Sequence, residues 1–473
     1  MVGMILDRRE FLTQAALGGA LLLPASARPY RSDVIRPEDF GARGDNKTND
    51  TAAFRALSNY ANEQGGATIE LTKGRTYIVG RQVRNASRYF ISPLPILRFE
   101  RLRHPLRIAG NGARLLAEPG LMFGVFDEQS LQPLQLKQPN FRGQGIAAPY
   151  DAMIWASECM APIEIENLEL DGNIGRMIIG GGYGDTGHQL PGSGFVLVDN
   201  RSAEIITEIY THHHPLDGII VNGSEERLDR GRFSRVRARH NGRQGVSLVG
   251  GKAYDFLDCE FSHTGRSAVF SAPGAGVDIE AEGKRIRDIT FQHCQFVANA
   301  GPGLLADQGD SEGIICTNCT LVGTTSWSAW PNKPRIRFFH CGFVGAIANP
   351  FASANPSLAT QFHRCEFRDD PSLAPGGAVF FNDEAGSGPI VDMGGSGGKN
   401  VLFSRCVFQL THRGRLPWSW LATYSDNLMS QASKETGYPR GYYKGRNIIT
   451  GRVDLYSSTV SGELIVNGRR QRI

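Results

Sequence analysis

Three acidic residues sit on glycine-led segments that recur along the chain: Asp278 and Glu280 follow Gly276, and Asp307 follows Gly303. The segments Gly218-Ile219-Ile220-Val221, Gly245-Val246-Ser247-Leu248, Gly276-Val277-Asp278-Ile279 and Gly303-Leu304-Leu305-Ala306 align as strands. Sending Ile219, Val221, Val246, Leu248, Val277 and Ile279 inward leaves two outer rows, because successive side chains of a strand alternate between its faces. One row holds Ile220, Ser247, Asp278 and Leu305, and the other holds Asn222, Val249, Glu280 and Asp307. At a strand spacing of about 4.8 Å, Glu280 and Asp307 become neighbours of like charge. Such a pair calls for a shared proton, an arginine or a cation such as calcium, which makes Asp278, Glu280 and Asp307 candidate calcium ligands. Asp278 and Glu280 also stand about 6–7 Å apart as alternate residues of one strand, near the spacing of paired acids in glycoside hydrolysis.

A second constellation lies in the turns that enter these segments. His213-His214 leads to Asp217-Gly218, His240-Asn241-Gly242-Arg243 leads to Gln244-Gly245, and His263-Thr264-Gly265-Arg266 follows. His213, His240 and His263 each fall four residues after Ile209, Val236 and Cys259, so the pattern stacks three imidazoles and two arginines along one edge. An edge of this kind combines acid, base and anion recognition. Asp217, His214, His240, Arg243, Arg266 and Asp278 are therefore candidate catalytic groups, with Gln244 and His263 as candidate ligand contacts. Trp418 and Trp420, in a stretch that also holds Tyr424, Tyr438, Tyr442 and Tyr443, can stack on sugar rings, although local packing is the plainer reading of that stretch.

The elements that must carry these groups are repeats. Six cysteines share one context: Asp258-Cys259-Glu260-Phe261, His293-Cys294-Gln295-Phe296, Asn318-Cys319-Thr320-Leu321, His340-Cys341-Gly342-Phe343, Arg364-Cys365-Glu366-Phe367 and Arg405-Cys406-Val407-Phe408. That is a strand motif with every second side chain inward, and it reads as buried thiol filler, not as a disulfide framework. Cys316 and Cys319 form a C-x-x-C without a second pair, which is a weak zinc signal. Glycine segments at 218, 245, 276 and 303 recur at steps of 27, 31 and 27 and alternate with the cysteine segments from 245 to 319. Periods in this range mark a solenoid whose coils bury their apolar face only by stacking. With 51 basic and 47 acidic residues, a net charge of +4 and no block of like charge, the composition gives no case for nucleic acid.

Two stretches near the N-terminus add resemblances. Asp7-Arg8-Arg9-Glu10-Phe11-Leu12, the apolar run Ala15 to Leu23 and Ala25-Ser26-Ala27 resemble a twin-arginine export signal cut after Ala27. The apolar run falls short of the roughly 20 residues of a membrane span, so no stable anchor is expected. Further on, Asp39-Phe40-Gly41-Ala42-Arg43-Gly44-Asp45, Thr48-Asn49-Asp50-Thr51-Ala52-Ala53-Phe54, Gly65-Gly66-Ala67-Thr68-Ile69-Glu70-Leu71 and Gly74-Arg75-Thr76-Tyr77 resemble the opening of pectate-lyase-superfamily β-helices. Asp50 or Thr51 can cap a short helix there, with Phe54, Leu57 and Ala61 on one apolar face, plugging the end of the solenoid.

The expected fold is all-β, a right-handed parallel β-helix with an N-terminal capping helix. Its expected layout is a signal at 1–27, cap and first coils at 36–125, an irregular loop at 126–150, coils at 151–412, an aromatic-rich irregular segment at 413–446 and closing strands at 447–473. The resemblance implies a polysaccharide partner in the periplasm or outside the cell. It also implies cleavage of a uronate-containing polymer by β-elimination, with Arg243 or Arg266 as base and calcium as helper. A glycoside hydrolase using two of Asp217, Asp278 and Glu280 is the second expectation, and a non-catalytic binding or adhesion module the third. The N-T-D, D-D, G-H-G and R-I-K signatures of polygalacturonase-type hydrolases do not occur in order, and the Y-G-x-D-P-H motif of mannuronan epimerases is absent.

Overall fold

The computed structural model describes residues 34–84, 89–134, 145–181, 190–383 and 388–471. The expected signal at 1–27 lies outside the described residues. No helix of the described residues is long and apolar enough to cross a membrane. The chain divides into two compact units, Met1–Gly251 with Gly265–Pro273, and Lys252–Thr264 with Gly274–Ile473.

In the first unit parallel strands stack apolar side chains in columns. One column pairs Ile69 with Ile108, Ile108 with Ile165, Ile165 with Ile206 and Ile206 with Phe233. A second column on another strand set pairs Phe99 with Ala156, Ala156 with Leu197, Leu197 with Val221 and Val221 with Leu248. All these side chains are buried. β-branched residues suit such columns because their stiff side chains pack flat on the pleated surface.

The helix Thr51–Gln64 buries Phe54, Leu57 and Ala61 as its sequence required. It covers an exposed strand edge: Asn62 donates to the Arg98 carbonyl at 2.8 Å and accepts from the Glu100 N–H at 3.0 Å. Among the described residues no further strand pairs with these ladder groups, so the helix closes the edge against pairing with another chain. Asp50 stands at the N-cap position, but its carboxylate accepts from the Arg43 and Gly44 N–H groups at 2.8 and 3.0 Å instead of capping the helix. The Asp39–Asp45 motif is thus a loop tied to the start of the helix. Tyr77, whose hydroxyl donates to Glu38 at 2.7 Å, is held protonated up to about 12 by burial and that carboxylate.

The second unit is built on the cysteine repeat. Phe261 pairs with Phe296, Phe296 with Leu321, Leu321 with Phe343, Phe343 with Phe367 and Phe367 with Phe408. A neighbouring column stacks Phe338, Phe362, Phe403, Tyr424 and Tyr443 with ring centroids 5.0–5.3 Å apart. Between the two strand legs each coil turns through a left-handed residue, Asp258, His293, Asn318, His340, Arg364 or Arg405, with φ between 53° and 55°. The cysteine that follows points inward, and all eight cysteines are buried and free. The Cys341 and Cys365 thiols donate to carbonyls of the preceding coil, Cys316 at 3.4 Å and Phe338 at 3.5 Å. Burial pushes the thiols of Cys294, Cys316, Cys341 and Cys365 up, which keeps them protonated and unreactive. Beyond Cys406 asparagine takes over this position: Asn427 accepts from the Cys406 N–H at 2.7 Å, and Asn447 accepts from the Asn427 N–H at 3.0 Å.

The glycine repeat has its own cause. A Cβ on Gly218 would lie 2.6 Å from Asn241 Nδ2, and one on Gly276 would lie 2.6 Å from Asn299 Nδ2. Each glycine leaves room for an interior amide, and Asn241 and Asn299 use their Oδ1 atoms to accept from the backbone of His214 and Thr264 at 3.1 and 3.0 Å.

Two expectations are corrected. The segment 413–446 is not irregular: it contains the strands Ser419–Ser425, Leu428–Gln431 and Pro439–Lys444, which continue the parallel columns. Its tyrosines 424 and 443 are core filler in the phenylalanine column, so aromatic clustering there marks packing. Within 126–150, residues 135–144 lie outside the described residues, while Gly145–Ala147 is a strand paired antiparallel to Met122–Phe126 in a small side sheet.

Two outcomes follow. In the native protein none of the eight thiols is expected to react with an aromatic disulfide reagent, and all eight should titrate after denaturation; fast native reaction would contradict the inward cysteine column. Phe362→Ala should cost about 3–5 kcal/mol, read as a lower midpoint in urea.

Candidate functional site

The residues expected to form a catalytic edge separate. Arg243 is 2% exposed and Asp217 is fully buried. Arg243 Nε donates to Asp217 Oδ1 at 2.7 Å, its Nη2 donates to Asp217 Oδ2, and the Ser247 hydroxyl donates to the same carboxylate at 2.8 Å. A guanidinium closed on a carboxylate inside the protein does not reach a polymer, so Arg243 as base and Asp217 as acid are both corrected to a structural ion pair. Gln244 is fully buried as well. His214 is buried with its Nδ1 2.9 Å from the Tyr150 hydroxyl, and burial drives its protonation far below the usual imidazole range, so it stays neutral. Turn residues of this polarity ordinarily face water; here Asn241, His214, Asp217 and Arg243 all turn inward.

The acid rows are also corrected. A register shift between Asp278 and Glu280 sets Glu280 opposite Gln308, and a shift after Val221 sets Asn222 opposite Gly250. Bulges of one residue therefore displace Asp307 and Val249 from the rows that simple alternation gives. Asp278 is buried, and Asp307 is pushed up by burial first and by the Glu280 charge second. Arg266 is exposed in the first unit and His263 is half-buried in the second. Trp418 and Trp420 are exposed in the second unit, where the Trp420 indole lies against Gly397.

The first unit brings another group together. The strand Ile163–Asp171 pairs Glu169 with Arg114 on one side and Tyr210 on the other, and Tyr210 pairs with Arg237. One rung further, Asp171 pairs with His212 and His212 with Arg239. Two adjacent outer columns thus hold Arg114, Glu169, Tyr210 and Arg237, and Asp171, His212 and Arg239. The Tyr210 and His212 rings stack at 4.0 Å, and the Arg237 guanidinium lies 4.7 Å over the Tyr210 ring. Glu169 accepts from His212 Nε2 at 3.1 Å and meets Arg114 Nε at 3.1 Å, which holds its carboxyl below the usual range, chiefly through the His212 bond. His213 Nδ1 lies 2.6 Å from His212 Nδ1, and the His213 ring stacks on His240 at 5.0 Å. Burial, then the neighbouring His212 and His240, lower His213 to about 4, so its imidazole is neutral near pH 7. His240, an expected catalytic residue, is thus placed against His213, at the edge of this cluster.

The cluster sits on coils whose parallel columns decide the architecture. The fold is a parallel β-helix. No protein-family model and no curated protein matches the chain. Among solved structures the β-helix is similar to the A-module of the Azotobacter vinelandii mannuronan C-5 epimerase AlgE6, with a TM-score of 0.46 and 15% identity over 91% of this chain and 98% of that one. It is also similar to bacteriophage phi29 gene product 12, with a TM-score of 0.48 and 11% identity over 92% and 57%. A third is the tailspike gp49 of Acinetobacter baumannii bacteriophage Fri1, a capsular polysaccharide depolymerase, with a TM-score of 0.42 and 13% identity over 89% and 63%.

The six residues Arg114, Glu169, Asp171, Tyr210, His212 and Arg237 escaped sequence reading. Their signal is the i, i+2 recurrence Glu169/Asp171, Tyr210/His212 and Arg237/Arg239, which shows only once the coil before His213 is placed in register. The buried pair gives the expectation here: Arg243→Met alone should destabilise the protein by about 3–5 kcal/mol, because it strands the Asp217 carboxylate, and Asp217→Asn added to it should recover part of the loss. Unchanged thermal unfolding of the single variant would contradict a closed pair.

Proposed function

We propose that the protein acts on an acidic, uronate-containing polysaccharide at the Tyr210–Arg237 face of its first unit, by β-elimination and outside the cytoplasm. The observation that carries this reading is the exposed Arg237 laid over Tyr210 beside the His212–His213–His240 series. A guanidinium suits a uronate carboxylate, and a phenol hydroxyl beside it can donate to a sugar oxygen. In this reading Arg237 neutralises that carboxylate, which acidifies the proton on the adjoining carbon. His240 takes the proton, the electron pair forms the carbon–carbon double bond, and the glycosidic C–O bond breaks. The departing oxygen takes its proton from the Tyr210 hydroxyl.

The two-carboxylate hydrolase reading has less support in this unit. Asp171 is buried and engaged by Arg114, and Glu169 is engaged by Arg114 and His212, so neither acid is open for protonating a leaving group. Incubation with a panel of uronate-containing and neutral polysaccharides, following ultraviolet absorbance and reducing ends together, tests the proposal. A rise in both with a uronate polymer is expected, with His240→Ala lowering kcat by about 10²–10⁴ and Arg237→Ala raising KM. Reducing ends without absorbance would favour hydrolysis. Binding without product would favour a non-catalytic module.

A further inference from the structure

Beside the Tyr210–Arg237 pair, three ligand-type atoms converge that the elimination chemistry does not use. Asp171, His212 and His213 each offer one atom, all within 4.8 Å of one another. The Asp171 and His212 side chains are each 7% exposed, and His212 Nδ1 stands 3.7 Å from Asp171 Oδ1. We infer that Asp171, His212 and His213 bind one divalent cation of the zinc class through Asp171 Oδ1 and the two Nδ1 atoms.

The second, independent observation is the proton placement forced on His212. A carboxylate only accepts, so the 3.1 Å contact of Glu169 with His212 Nε2 puts the proton of a neutral His212 on Nε2. Its Nδ1 then carries a lone pair aimed at His213 Nδ1, 2.6 Å away. Without a cation, one proton must bridge those nitrogens; a cation replaces the proton and takes both lone pairs. A carboxylate behind a ligating imidazole is the arrangement that fixes tautomer and ring orientation in metal sites. Asp171 is held in the same way, with one oxygen facing Arg114 and Oδ1 accepting from the Asn173 N–H at 2.7 Å.

The backbone fixes the ligands as well. Gly172 N–H donates to the His212 carbonyl at 2.8 Å and Ile174 N–H to the His213 carbonyl at 3.1 Å, so the turn after Asp171 is tied to both histidines. Two imidazoles and one carboxylate match zinc, copper or nickel better than calcium, which prefers oxygen ligands throughout. Zn–N bonds of about 2.0–2.1 Å in a tetrahedron set two nitrogens about 3.3 Å apart, so binding needs the imidazoles to part by less than about 1 Å.

Equilibrium dialysis of the mature chain, tag removed and cleared of metal with chelator, against zinc sulfate tests the site. One zinc per chain is expected, with a higher Tm for the zinc-loaded protein. Cobalt in place of zinc should give the visible absorption of a tetrahedral nitrogen–oxygen site. Asp171→Asn and His213→Ala should bind at least 100-fold more weakly, and Glu169→Gln about 10–100-fold more weakly, with far-ultraviolet circular dichroism unchanged. Absence of stoichiometric zinc, or zinc binding that persists in a His212→Ala/His213→Ala variant, would overturn the inference. His240→Ala should keep its zinc, so loss of metal binding and failure of the polysaccharide reading can be told apart.

Discussion

Parallel stacking at about 4.8 Å is the constraint on which the rest depends, because it sets every side chain beside the residue at the same place in the next coil. Inside, the neighbour must be compatible in shape and must satisfy any polar group. Columns of isoleucine and of phenylalanine answer the first demand. The asparagines 427 and 447, each accepting a backbone N–H from the coil before, answer the second. An unpaired amide in that position would lose its water without replacement, at a cost of about 1–3 kcal/mol. The inward cysteines meet both demands at once, being small, apolar and able to donate weakly to a carbonyl.

The same constraint builds the candidate site. Outside the coil, stacking places unlike residues side by side only if consecutive coils supply them in register. Three coils do so here: Glu169, Tyr210 and Arg237 in one column, Asp171, His212 and Arg239 in the next. The result is a run of alternating charge and ring whose members hold one another. Arg114 and His212 restrain Glu169, and Tyr210 lies between His212 and Arg237. A surface made this way is preorganised, because its side chains are ordered by packing before any ligand arrives.

Much of the fold could be read from the chain because its markers repeat. Cys-x-Phe announces an inward pair, and the glycine-led runs announce stacked strands, although not that Gly218 would leave room for Asn241. The stretch from Asp39 to Phe54 announced the helix, although not that Asp50 would bind the preceding loop instead of capping it. The site was less legible, for two physical reasons. Alternation fails at a bulge, so Glu280 and Asp307 were aligned one residue off. Polarity is a poor guide to direction where an ion pair closes on itself, so Arg243 and Asp217 were read as an outer edge when they are interior. Of the expected catalytic residues, His240 joins the cluster that did form, and it does so through His213, whose position in the turn was read correctly.

The central claim is that the Tyr210–Arg237 face receives the sugar. Electron density from crystals soaked with a uronate oligosaccharide tests it most directly. The account predicts a sugar whose carboxylate sits on the Arg237 guanidinium, with a ring oxygen near the Tyr210 hydroxyl and its reacting carbon toward His240. Density confined to Trp418 and Trp420, or to the Glu280 and Asp307 side of the second unit, would contradict it.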